Sequence, residues 1–201
     1  MEQALRQDPG NPMAIVCLAM ADERAGRYEQ AVQVYQGAID KRIFTDIIYT
    51  RLGKLYLRLH QLDKAVDAMT HARQTNPTDL ENWRNLGTAE LQLGHIDEAE
   101  RAFKAITLQN DHFSAAYNGL GLVAIQRGDS EAAQREFEKA AELDPSQVEP
   151  LLNLGVLFDK AGNKPQALRY YQEFLNKASP KDYSELIPKV RAAVQDLRNG
   201  A

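Results

Sequence analysis

The chain has 201 residues, 44% apolar and 26% charged, and a formal net charge of −4. That is globular composition; it argues against disorder and collagen, and the acidic balance argues against a nucleic-acid partner, since phosphates need a basic face. The single cysteine, Cys17, excludes an intramolecular disulfide framework, and no apolar run approaches the roughly 18–20 residues that span a membrane, so no membrane insertion is expected.

The first residues, Met1–Gly10, are charged and end in a turn-like "DPGNP", which is no signal peptide. A soluble protein is expected, with the cytoplasm slightly favoured. From Pro12 onward, a shift of 34 residues brings the sequence onto itself. Leu18, Leu52, Leu86, Leu120 and Leu154 form one column; Ala19, Gly53, Gly87, Gly121 and Gly155 form the next. Ala31, Ala65, Ala99, Ala133 and Ala167 form a third, and four residues on stand Tyr35, Met69, Phe103, Phe137 and Tyr171. The register holds without insertion over five windows: 12–45, 46–79, 80–113, 114–147 and 148–181.

Each window reads as two helices. In the third, Trp83, Leu86, Gly87 and Leu91 share a helical face, and Gly94 ends the helix because glycine takes the left-handed C-cap conformation without strain. Asp97 then opens a second helix with Ala99, Ala102, Phe103 and Ile106 on one stripe. Pro77 and Pro145 close their units, since proline lacks the N–H a helix needs. A glycine inside a helix costs about 1 kcal/mol against alanine. Its recurrence implies compensation: the missing side chain lets the partner helix, with its large residue, come close.

Residues 1–11 read as the tail of a preceding partial unit, with Ala4 and Pro9 on the alanine and proline columns, as in a piece of a longer polypeptide. Residues 182–201 break the period and read as a capping helix and tail. There Tyr183, Leu186, Ile187, Val190, Val194 and Leu197 make an apolar stripe, with Pro188 in its first turn or at a break. An all-α array of eleven or twelve helices without strands is expected.

On these residues the chain resembles the tetratricopeptide-repeat (TPR) family, whose unit has 34 residues and a W…LG…Y…A…F…A…P pattern. Tyr117, Leu120, Gly121, Ala133, Phe137, Ala140 and Pro145 match it nearly throughout. Asp22, Glu90 and Ala124 depart from it where an aromatic is expected, Ile106 and Phe174 where a small residue is, and Ile43 and Asp111 where proline is. Helix pairs at the first three should be less tightly filled. The resemblance implies a right-handed solenoid whose first helices line a concave groove that holds a partner's peptide.

Signals of catalysis are lacking: His60, His71, His95 and His112 form no HxxxH pair, and no CxxC, GxSxG or phosphate loop occurs. No cofactor or metal is expected, and no enzyme activity. Through the resemblance, the groove candidates are Arg51, Lys54, Arg58, Arg84, Asn85, Thr88, Asn118 and Asn153. The carboxylate clamp of chaperone-binding TPR domains does not map onto them. Asn85 and Asn153 fit the asparagine ladder of O-GlcNAc transferase, and the four cations suit a partner carrying Asp or Glu, partly offset by Asp46 and Glu81. Two alternatives remain: an accessory region of a larger glycosyltransferase-like or sulfatase-like enzyme, or a self-assembling scaffold docking through Met13, Val16 and Met20.

Overall fold

The computed structural model describes residues 11–43 and 46–199. The expected tail of a preceding unit therefore falls, apart from Asn11, outside the described residues. Among them are eleven α-helices and no strand, and none is long and apolar enough to cross a membrane. The chain divides into two compact units, one up to Ala105 and one from Ile106.

The first unit holds α1 (Pro12–Arg24), α2 (Tyr28–Asp40), α3 (Asp46–Arg58), α4 (Leu62–Thr75), α5 (Leu80–Leu93) and most of α6 (Ile96–Gln109). The helices start and stop where local chemistry dictates. Asn11 Oδ1 accepts from the Ala14 N–H, with Pro12 supplying a first helical residue that needs no N–H partner. Asp79 caps α5 through Asn82 N, and Gly94 ends it at φ 81°. The equivalent turn after α3 uses His60 at φ 55°, a left-handed conformation that costs a residue with a Cβ about 1–2 kcal/mol.

Packing follows the columns. In the first unit α1 lies against α2, α3 against α4, α2 against α3 and α4 against α5, and Gly87 of α5 faces Phe103 of α6. Ala31, Ala65 and Ala99 are fully buried, as are Tyr35 and Met69. A Cβ placed on Gly87 would stand 2.9 Å from the Phe103 ring, and one on Gly53 would stand 2.7 Å from Met69 Cγ. Neither distance leaves room for a carbon, so the glycine permits the close approach and the large side chain fills it. Burying such a side chain stabilises by roughly 1.5–3 kcal/mol, more than the helix penalty of the glycine.

The second unit holds the end of α6, then α7 (Ser114–Gln126), α8 (Ser130–Leu143), α9 (Glu149–Lys160), α10 (Lys164–Lys177) and α11 (Leu186–Asn199). Its helices pack as consecutive neighbours from α7 to α11. Phe137 fills the space left by Gly121, and Tyr171 that left by Gly155, where a Cβ would meet the ring at 2.5 Å. Phe174, on a small-residue column, is fully buried and meets Tyr183 edge-on at 5.6 Å. The capping helix begins at Leu186, later than the stripe suggests. Residues 179–185 form turns instead, with Asp182 N and Tyr183 N both bonded to Ser179 O. Pro180 restricts its predecessor and favours that turn. Pro188 sits in the first turn of α11.

Candidate partner-binding face

The candidate residues lie on first helices. In the first unit they stand on α3 and α5, which approach each other. Arg51, Lys54 and Arg58 follow one another on α3 at spacings that share one helix face. Their surroundings divide them. Arg51 is half-buried, and its Nη1 lies 3.4 Å from Glu23 Oε2. Arg84 is held by Glu81 one turn before it, with Nε and Nη2 at 3.0 and 2.8 Å from Oε2. Arg58 lies over the Tyr28 ring, 4.6 Å from its centroid, and has no carboxylate partner among the described residues. Lys54 is exposed and likewise lacks one. The side chain of Asp46 lies outside the described residues.

Asn85 is only 6% exposed, and its Nδ2 meets no acceptor among the described residues. A buried amide donor without a partner costs about 1–3 kcal/mol. One turn earlier Asn82 donates to the Met69 carbonyl at 2.9 Å, while its Oδ1 is buried without a donor. Thr88 spends its hydroxyl on the Arg84 carbonyl at 2.9 Å. In the second unit the structure brings two candidates together: Asn153 Nδ2 donates to Asn118 Oδ1 at 2.8 Å, linking α9 to α7.

Polar groups that sequence reasoning missed lie beneath this face. Glu23 accepts from the Tyr35 hydroxyl at 2.9 Å as well as pairing with Arg51, so it anchors the cation to the core. Burial first, then the Glu23 charge, pushes the Tyr35 phenol well above its ordinary pKa. The fifth window repeats the device: Tyr171 donates to Asp159 at 3.1 Å, and its pKa is raised in the same way. A signal existed. Where the large column holds Tyr, the residue twelve positions earlier is acidic; where it holds Met or Phe, that residue is Leu57, Leu91 or Ile125.

Asp22 and Glu90 put a polar contact where the aromatic was expected. Both are nearly buried, at 8% and 9% exposure. Arg27 donates twice to Asp22 Oδ1, at 2.9 and 2.7 Å, and His95 Nδ1 stands 2.8 Å from Glu90 Oε2. In each case the acid reaches across the turn to a residue five positions on. Beside Glu90 opens a cleft of about 340 Å³ with Asp63, Asp67 and Glu98 on its walls. No group of His, Cys, Asp and Glu among the described residues is placed to hold a metal ion.

The family model described as Cilia and flagella-associated protein 70 C-terminal domain matches residues 2–199. Tetratricopeptide repeat protein 33 of Homo sapiens is 35% identical over 78 residues, which is 39% of this chain and 30% of that protein. The chain thus spans about 30% of the length of the curated relatives it matches. The crystal structure of a tetratricopeptide repeat protein from Parabacteroides merdae aligns with a TM-score of 0.78 at 21% identity, over 89% of this chain and 71% of that one. YrrB, described as a TPR protein with an unusual peptide-binding site, aligns with a TM-score of 0.67 at 18% identity, over 87% of this chain and 90% of its own. At such identities the likeness is one of fold, and the fold is the all-α TPR solenoid.

Proposed function

The chain belongs to the tetratricopeptide-repeat family described as Cilia and flagella-associated protein 70 C-terminal domain, and from that premise we propose that it is an interaction module whose α3–α5 face holds a segment of a partner protein carrying Asp or Glu. The observation that carries this reading is the division among the cations. Arg51 and Arg84 are tied to Glu23 and Glu81, whereas Lys54 and Arg58 have no carboxylate among the described residues. The chain's own acids leave their charge for a visitor. The Asn85 amide, buried with its Nδ2 unpartnered among the described residues, lies beneath this face and is not itself offered to the partner. The module acts by holding a partner, and its surface residues, not a catalytic constellation, set what it holds.

The family's description directs the search for that partner to proteins of cilia and flagella. The test is affinity capture from such an extract with quantitative mass spectrometry, comparing wild type with Lys54→Glu plus Arg58→Glu. The reading expects at least one captured protein to fall tenfold or more with the charge reversal, about 1.4 kcal/mol. It also expects capture to weaken with salt, because exposed charges are screened over about 8 Å at physiological ionic strength. Capture indifferent to both would place recognition on another surface.

A further inference from the structure

A second surface lies where the fifth repeat meets the capping helix. Between α10 and α11 runs a cleft of about 540 Å³. Leu175 and Val194 form its apolar floor, Gln172 and Gln195 offer amides, and Arg191 and Arg198 stand on its wall. No carboxylate among the described residues lines it. Two other clefts are different: one carries Asp63, Asp67, Glu90 and Glu98, and another carries Glu138, Glu142 and Glu173 beside Arg169 and Lys177.

Arg191 and Arg198 are exposed, and neither has a carboxylate or ring partner among the described residues. By contrast, Arg27, Arg51, Arg84, Arg101 and Arg169 each hold an acid. Seven residues apart, the two unpaired arginines share one face of α11, separated by about 10 Å along its axis at 1.5 Å per residue. That is near the Debye length at physiological ionic strength, about 8 Å, so they repel each other weakly while both attract an anion entering the cleft. A segment in the extended polyproline II conformation rises about 3.1 Å per residue with three residues per turn, so carboxylates three residues apart lie on one side at about that separation. The floor shows too little apolar surface to seat a helix, since Val194 is buried and Leu175 half-buried. Amides beside it suit an extended main chain.

We propose that the α10–α11 cleft binds an extended acidic segment of a partner protein, with two carboxylates three residues apart seated on Arg191 and Arg198. Each guanidinium offers a planar fork that a carboxylate accepts at two points. The site is separate from the α3–α5 face, and the two can be lost independently.

The test is fluorescence anisotropy of the whole chain with a labelled peptide GSELAEGS and its amide counterpart GSQLAQGS. The acidic peptide is expected to bind at least tenfold more tightly than the amide one, and more weakly as salt rises. Arg191→Glu with Arg198→Glu is expected to cost at least tenfold in affinity with helicity unchanged by circular dichroism. Should that variant lose helicity, Arg191→Ala with Arg198→Ala reads the same loss without charge reversal. The arginine variants are expected to lose the peptide to the same extent in a Lys54→Glu, Arg58→Glu background, which removes any binding of the probe at the α3–α5 face. Equal binding of the two peptides, no binding by the wild type, or affinity indifferent to the arginine variants would overturn the proposal. Tighter binding of a single-stranded oligonucleotide than of the acidic peptide would overturn it too, by assigning the cleft to phosphates.

Discussion

The residue just before each second helix does different work in the two units. In the first unit Arg27 and His95 reach backward to the buried acids Asp22 and Glu90. In the second, Asp129 and Asn163 reach forward and cap α8 and α10 through Ala132 N and Gln166 N. The acids stand on the column where the second unit has Ala124 and Phe158, and Phe158 stacks on Tyr170 at 5.6 Å. The turn glycine is kept at Gly128 and Gly162 in the second unit but is His60 once in the first. The alanine column, and the pairing of glycine with a large side chain, persist in both units. The difference separates positions that packing fixes from positions where chemistry is exchangeable, provided that a buried polar group finds its partner.

The largest effect is expected where both units agree. Gly121→Leu should cost more than about 2 kcal/mol in urea denaturation, because overpacking forces the Phe137 ring or the helix to move. Gly87→Leu should cost a comparable amount through Phe103, which is 2.9 Å from the position of the added Cβ. Either variant within about 0.5 kcal/mol of wild type would break the packing account. Next comes the exchangeable position. Arg27→Ala leaves the Asp22 carboxylate nearly buried without its partner, which should cost about 1–3 kcal/mol. Combining Asp22→Phe with Arg27→Asn instead transplants the second unit's Phe158 and Asn163 arrangement and should recover most of that loss. Additive losses would mean that the two positions are not coupled.

A smaller gain is expected from His60→Gly. It relieves the left-handed strain but adds freedom to the unfolded chain, for a net stabilisation of about 0.5–1 kcal/mol by thermal melting. A loss would show that the His60 side chain stabilises in a way its φ does not reveal. The smallest effect concerns pH. Burial first, then its bond to Glu149, pushes the Tyr183 phenol from 10.0 to about 12. Between those values the unfolded chain gives up this proton and the folded chain keeps it. Stability is therefore fully present below pH 10 and declines as pH rises toward 12. Tyr183→Phe should flatten part of that decline; an unchanged profile would assign it to other groups, such as Tyr35 and Tyr171.

Much of the fold was legible because it is periodic. The columns placed the helix pairs, and the glycines forecast the close approaches to Met69, Phe103, Phe137 and Tyr171. The polar interior was harder to read, because its partners lie off the columns. Glu23 meets Arg51 across 28 positions, a spacing shorter than the repeat. Asn85 reads as a surface amide beside Arg51 and Asn153, yet it is buried while they are half-exposed. Column identity does not fix burial, since neighbouring side chains differ from window to window. Of the candidate site, the choice of helices came from the resemblance. Which cations stay free required coordinates, because an ion pair depends on reach and not on spacing alone.

The central claim is that recognition in the first unit uses the exposed columns of α3 and α5, while α4 and α6 serve packing and solvation. Site-specific photocrosslinking tests this most directly, with a crosslinking residue placed at Lys54 or Thr88 on the first helices, or at Gln74 or Arg101 on the second. The account predicts adducts with captured partner from the first pair and none from the second. Adducts from Gln74 or Arg101 alone would contradict it.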